Sequence, residues 1–382
     1  MIFAGDFVPG STRPLVDHKT TDYIVANLEG PVCSGHLVPI NKVGPHLRND
    51  EFDIEGKWAF ALANNHMMDF GASGLKATRD FLERKDFSFA GAGDDLAMAR
   101  APMRLREGDK IVSIVSCCER QFGITLDSHP GVAEKGFWLL DTIKLEKAKG
   151  ADFVVVSCHA ACEFSYFPSP NIRDFYRLLI DNGADVVHGH HAHVPQGYEI
   201  YKGKPIFYGL GNFVVDVDSG WRHRKNARWS LVGYVNFACK PLSCRVEPYG
   251  DVPRYIDTYM SLINAPFRDE SLYASVWQSI AINMFNEIYK GRPGLSHMKL
   301  FSKASFSSRV KTFLKLAYNT FLMTDVRRLA IQKSEELSTW HYFGCESHRD
   351  LIDTALGVLT GAIPDLRTVQ SESIIKEIDG LQ

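Results

Sequence analysis

Short apolar runs, each closed by Gly, Asn, Asp or His, alternate with stretches of helical periodicity along the first two thirds of the chain. Ile2 to Ala4, Tyr23 to Leu28, Trp58 to Ala63, Phe87 to Ala90, Lys110 to Cys117, Val154 to Cys158, Ala184 to Val187 and Pro205 to Leu210 have the length and composition of strands. Short runs such as Ala184 to Val187, apolar but for Asp185, suit buried parallel strands. Leu75, Thr78, Phe81 and Leu82 recur at helical spacing and predict a helix over about Ser73 to Arg84; a second is expected over Ile172 to Asn182. Leu231 to Ala238 and Ser243 to Pro248 read as a closing antiparallel pair. Strands alternating with helices indicate an α/β architecture. From about Ile256 the pattern turns helical, so the expected division is an α/β domain over 1–255 and a mainly helical accessory region over 256–382.

Within that second region, residues 299–333 are rich in Lys and Arg, with Asp325 as the sole acid. Val310, Phe313, Leu314, Ala317 and Phe321 form an apolar stripe flanked by Lys311, Lys315, Arg327 and Arg328. Such a basic amphipathic helix either lies against an anionic membrane or a partner protein, or packs its apolar side on its own protein. The chain's 382 residues allow a large core, and its 45% hydrophobic and 23% charged content is ordinary for a globular protein. A net charge of -2 argues against a general nucleic-acid binder. Eight cysteines without CxxC spacing argue against a zinc ribbon and suit reduced thiols in a cytosolic protein. The first residues run straight into a strand, with no basic and apolar leader pattern, and no apolar run approaches the length of a bilayer span. The expected location is therefore the cytoplasm, at most peripheral to a membrane.

Candidate chemistry gathers where the strands end. Asp6, Glu29, Asn65 with His66, and His159 each follow an apolar run, and the run at Ala184 delivers His188, His190, His191 and His193. Ligands of open α/β sheets bind beyond the carboxyl ends of the strands. These residues, distant in sequence, are thus expected at one edge. Taken singly each has a plainer reading: Asp6 as a turn cap, Asn65 as a loop hydrogen bonder, the histidines as a polar surface loop. Together, carboxylate, amide and imidazole donors suit Mn, Fe or Zn.

The motifs Gly5-Asp6, Asn27-Leu28-Glu29-Gly30-Pro31, Ala63-Asn64-Asn65-His66 with Asp69 and Gly71, Gly91-Ala92-Gly93, His159 with Glu163, Gly189 to Glu199, and Tyr208 to Phe213 with Asp216 resemble the bacterial CapA family of capsule and poly-γ-glutamate synthesis. The resemblance spans roughly residues 1 to 250. It implies a calcineurin-like metallophosphatase fold, with layered sheets flanked by helices. It also implies one or two divalent ions held by Asp6, Glu29, Asn65, His159, His191 and His193, with Glu29 bridging. His66 would assist the leaving group, making His66 and Asp6 the catalytic pair. Two metals in such a site can clamp a phosphate and activate a water for in-line attack.

The chain departs from that pattern in places. Val8 stands where metallophosphatases usually carry a histidine, two positions after the first aspartate, so one metal position is weakened unless His190 or water compensates. Ala160-Ala161 stand where relatives commonly have Trp-Gly, which removes an aromatic wall. Glu163, Asn212 and Arg222 are the candidate substrate contacts. Glu163 reads equally as an orienting partner of a histidine or a surface acid, Asn212 as a turn residue, and Arg222 with Arg224 as a solvated loop. The function expected is a metal-dependent phosphoester hydrolase acting on a phosphorylated or polyanionic envelope precursor, with no nucleic acid as partner. The alternative is a non-catalytic, polymer-binding accessory in a capsule or poly-γ-glutamate synthesis complex.

Overall fold

The computed structural model describes residues 1–11, 20–215, 226–289 and 337–381 apart from 339 and 343. Asp216, Arg222, Arg224 and the basic stretch 299–333 lie outside these residues. The strands in chain order are β1 (Ile2–Val8), β2 (Tyr23–Leu28), β3 (Lys57–Ala61), β4 (Ser88–Ala90), β5 (Ala92–Gly93), β6 (Met103–Glu107), β7 (Lys110–Cys118) and β8 (Gly131–Val132). They continue with β9 (Phe153–His159), β10 (Val186–His190), β11 (Pro195–Tyr201), β12 (Lys204–Leu210), β13 (Asn212–Val215), β14 (Trp229–Asn236) and β15 (Ser243–Gly250). The helices are α1 (Gly71–Arg84), α2 (Leu96–Arg100), α3 (Trp138–Ala148), α4 (Pro170–Asp181), α5 (Ile256–Asn264), α6 (Glu270–Met284), α7 (Glu346–Thr360) and α8 (Val369–Gly380).

Two mixed sheets face each other. The first runs β15-β14-β1-β2-β3-β4, with β13 also paired to β1; the second runs β11-β12-β10-β9-β7-β6. The predicted closing pair β14 and β15 is antiparallel and joins the first sheet through β1. In the second sheet β9 and β10 are parallel central strands, buried throughout, apolar where they begin and polar toward their carboxyl ends. α4 covers this sheet with Ile172, Tyr176, Leu179 and Ile180, spaced along one helical face. Its start is set by Ser169, whose side chain accepts from Ile172 N, with Pro170 in the first turn.

One apolar cluster fills the space between the sheets and another covers the outer face of the first sheet. Phe3 belongs to the inner cluster, Ile2 and Ala4 to the outer, as the two-residue period of a strand demands. That period would send Asp6 outward as well. It does not, because the β1 ladder is irregular on both sides of Asp6. Phe7 then joins the outer cluster, and Asp6 turns in toward the second sheet. The sequence pattern ended this strand at Ala4. It runs on to Val8 because β13 pairs with its far end, Asp6 opposite Asn212. Likewise β10, expected to include a packed His188, continues to His190, and the half-buried edge strands β6 and β11 were not anticipated.

The C-terminal helices pack on the α/β body. Tyr273, Trp277, Leu351 and Ile374 sit in the same apolar cluster as the inner faces of both sheets. Tyr273 Oη donates to Pro168 O at 2.6 Å, and Ser169 Oγ to Asp350 Oδ2 at 2.6 Å. Among the described residues no helix is long and apolar enough to cross a membrane. All eight cysteines are free thiols.

Candidate metal centre

The ends of β2 and β9, the loops after β3 and β10, and the bulged middle of β1 meet at one edge of the sheet pair. Two glycines permit the approach. A Cβ on Gly5 would lie 1.8 Å from Gly211 O, and one on Gly189 would lie 2.1 Å from Tyr208 O. Asp6 N donates to Gly211 O at 2.9 Å, which fixes the bulge. His191 and His193 take up φ of 88° and 57°, a region few side chains other than glycine enter. Non-glycine residues held there persist only where their surroundings impose it, often at functional sites.

Six of the expected ligands converge. Glu29 Oε1 lies 3.6 Å from His193 Nε2, 3.8 Å from His159 Nε2 and 4.0 Å from His66 Nε2. Asp6 Oδ2 lies 3.4 Å from His193 Nδ1. Asn65 Oδ1 is 3.0 Å from His159 Nε2. Ligand atoms of Glu29, His191 and His193 all fall within 4.8 Å of one another. His190, from β10, brings Nδ1 to 3.7 Å from Asp6 Oδ1, so an imidazole faces the first aspartate although Val8 cannot. His188 is core: its Nε2 bonds Ala4 O at 2.8 Å and its ring packs edge-on to Phe3.

Buried polar atoms are normally paired. Here Oδ2 of Asp6, both oxygens of Glu29 and Nδ1 of both His190 and His191 are buried without a hydrogen bond. These atoms cluster, and a carboxylate–imidazole set is the donor set of a borderline divalent ion. The residues fit such an ion. The electrostatics agree in direction. Burial pushes the Glu29 carboxyl up, against the pull of His193, and neighbouring Asp6 pushes it further. Burial opposes a charge on His193, yet Glu29 and Asp6 outweigh it and hold that imidazole above its ordinary range. Both shifts come from crowding carboxylates and imidazoles in a buried space, and ligands that take up a metal there give up any proton they hold.

His66 is set apart by its partners. Its Nδ1 lies 2.7 Å from Asp69 Oδ2 and 2.9 Å from Lys42 Nζ, and Lys42 is paired to Asp69 in turn. With Nδ1–H given to Asp69, Nε2 faces the cluster. Burial first, then Lys42, press the imidazole down to about 4.

The expected substrate contacts divide. Glu163 is half-buried and feels the cluster's histidines: burial raises its carboxyl, but His191, His193, His348 and His66 bring it down to about 2. Asn212 has both ends of its amide in use, Oδ1 at 3.0 Å from His193 Nδ1 and Nδ2 donating to Ala227 O at 2.9 Å. Through the first of these contacts it braces the His193 ring. Arg222 lies outside the described residues. Phe164 brings an aromatic ring to 5.8 Å from that of His193, beside the small Ala160-Ala161 pair.

Several participants had no assigned role in the sequence. Asn27, inside the Asn-Leu-Glu-Gly motif, gives Nδ2 to Asp6 Oδ1 at 2.8 Å and sits 3.2 Å from His159 Nδ1. Asn64 gives Nδ2 to Asn27 Oδ1 at 3.1 Å, linking the two motifs. Their positions in the motifs were the available signal. Lys42, Glu119, Gln121 and Ser347 lie in no motif and gave none.

The family described as "Bacterial capsule synthesis protein PGA_cap" matches residues 5–217, more than half of the chain. The chain is 33% identical over 249 residues to "Capsule biosynthesis protein CapA" of Bacillus anthracis, covering 61% of this chain and 58% of that protein. It is 34% identical over 228 residues to a "Probable polyglutamine synthesis accessory protein" of Mycobacterium tuberculosis, covering 55% and 60%. The matches thus span about three fifths of these relatives. Among solved structures, the "calcineurin-like phosphoesterase YfkN from Bacillus subtilis" overlaps 55% of this chain and 70% of its own, at 14% identity and a TM-score of 0.32. The matched segment carries every strand-end residue of the cluster, from Asp6 to His193, and on that basis the chain belongs to the bacterial capsule synthesis PGA_cap family.

Proposed function

We propose that the protein is a metal-dependent hydrolase of phosphoesters, of the calcineurin-like kind, acting on a phosphorylated or polyanionic precursor in capsule or poly-γ-glutamate synthesis. The carrying observation is Glu29: a buried carboxylate with both oxygens unbonded, facing imidazoles of His66, His159 and His193 at 3.6–4.0 Å. A carboxylate in that state is costly unless a cation joins it.

Asp6, Glu29, Asn65, His159, His191 and His193 would hold one or two divalent ions, which when bound supply Lewis acidity toward a phosphoryl oxygen. The chain's own groups do the remaining work. Asn27 and Asn212 fix Asp6 and His193. Asp69, held by Lys42, sets the His66 ring so that Nε2 faces the cluster. An arriving phosphate dianion favours protonation at Nε2, from which a leaving oxygen can take the proton.

The test is hydrolysis of an aryl phosphate by purified protein with added Mn. Turnover that falls at least 100-fold in His66→Ala, with metal content unchanged, is the expected result. Metal without turnover, indifferent to His66→Ala, favours the second reading, an accessory that binds polymer in a synthesis complex. Val8 in place of a histidine and the "accessory" in the mycobacterial relative's name are what support that reading.

A further inference from the structure

We infer that the C-terminal helix α7 is a working part of the metal centre: Ser347 holds Glu119, and Glu119 positions His191 for the ion. This rests on the metal reading above and extends it to a part of the chain beyond the family match, which ends at residue 217.

Glu119 follows β7 directly and is fully buried. Its backbone N–H bonds His159 O at 3.0 Å, so it is tied to the end of the strand that carries a ligand. Its carboxylate oxygen Oε1 stands 3.4 Å from His191 Nε2. Gln121 Nε2 donates to Glu119 Oε1 at 2.7 Å and lies 2.7 Å from His191 Nε2; with the His191 Nε2 proton directed at Glu119, that second approach is a packing contact and not a hydrogen bond. A carboxylate at one ring nitrogen orients an imidazole and leaves the other nitrogen for metal. The other nitrogen here is His191 Nδ1, buried and without a hydrogen bond. His191 also sits at a φ of 88°, so its ring needs support from outside its own backbone.

A buried carboxylate keeps its charge only if donors reach it. Most come from the start of α7. Ser347 N donates to Glu119 Oε2 at 3.1 Å, and Ser347 Oγ lies 2.5 Å from Oε1 and 2.6 Å from Oε2. Cys345 Sγ approaches Oε1 at 3.5 Å. The first-turn N–H groups of a helix have no partner within it and carry its positive end, so the carboxylate and the helix satisfy each other. Burial pushes the Glu119 carboxyl up, but His191, Ser347 and Gln121 outweigh it. The helix start is itself fixed: Lys135 Nζ pairs with Glu346 at 2.5 Å, and Asp350 accepts from Ser169 at 2.6 Å and Asn171 at 2.8 Å.

The experiment measures Co(II) affinity and the visible Co(II) spectrum on the full chain, alongside melting of the metal-free protein. Glu119→Gln is expected to weaken Co(II) binding 10–100-fold and alter the spectrum. Ser347→Ala shifts both in the same direction, and Ser347→Thr restores them. Wild-type affinity and spectrum in folded Glu119→Gln or Ser347→Ala would overturn the inference and reduce Glu119 to a helix cap. Should Glu119→Gln fail to fold, Ser347→Ala decides. A wild-type protein that binds no Co(II) fails earlier, and overturns the metal reading together with this extension.

Discussion

Glu29 Oε1 lies 3.6 Å from His193 Nε2, and the two side chains come from different sheets, Glu29 from the end of β2 and His193 from the loop after β10. Packing the sheets together therefore assembles the cluster and strips water from Glu29 in the same act. Fold stability and ion binding are opposed at this residue until a cation is present.

Replacing Glu29 with Gln should separate the two. The metal-free variant is expected to melt at or above the wild-type temperature, because the desolvated charge is gone. Added Mn should raise the wild-type melting temperature and leave the variant unmoved. Ligand at 100 times its dissociation constant stabilises by about 2.7 kcal/mol. Paired thermal melts in EDTA and in Mn make the comparison, and equal Mn-induced shifts in both proteins would count against Glu29 as a ligand.

Asp69→Asn tests the orientation of His66. The substitution removes the carboxylate that accepts from Nδ1 and the partner of Lys42. Aryl phosphatase kcat is expected to fall about 100-fold or more with metal content unchanged, since the proton-transferring group contributes a factor of that order. An unchanged kcat would release His66 from the role given to it.

Gly5→Ala tests the approach of β1 to the β12–β13 turn. The new methyl would lie 1.8 Å from the Gly211 carbonyl oxygen, so backbone must move. Overpacking of this kind costs about 1–3 kcal/mol and at times more. A destabilisation of at least about 2 kcal/mol by urea denaturation, with weakened Mn binding as Asp6 shifts, is the expected result.

His188 gives the protein an acid sensitivity independent of the ion. Burial presses its imidazole down to about 3, and as a neutral ring it donates to Ala4 O. The unfolded chain takes up a proton near pH 6.5, the folded chain only near 3. Between those values the unfolded state binds more protons, so stability falls as pH falls through that window, by at most about 1.4 kcal/mol per pH unit for this one group. Urea midpoints at pH 7.5 and 5.5, in EDTA, should drop further in wild type than in His188→Gln. Parallel losses would remove His188 from the acid response.

The strand frame was legible because β2, β7, β9 and β12 are apolar runs bounded by turn residues, and strand-end chemistry then placed Asp6, Glu29, Asn65, His159 and His193 together. The bulge at Asp6 was not legible. It depends on β13, a strand more than two hundred residues away that pairs opposite it. The outer partners were hidden for a similar reason. Lys42 and Glu119 look like ordinary charged residues until tertiary packing buries them beside Asp69 and His191. Asn212 was flagged by its motif but not as a partner of His193, and Ser347 carries no signal of its own, since a polar side chain near a helix start has a local explanation. Periodicity read the last third as helical, but not that α7 begins against the carboxylate next to a ligand.

Anomalous scattering from crystals grown with Mn decides whether the buried cluster holds an ion. One or two peaks bonded to Glu29 and His193, with Asp6, His159 or His191 completing the shell, are expected. A map with no peak at these side chains, or with Mn bound only elsewhere, would contradict the metal reading.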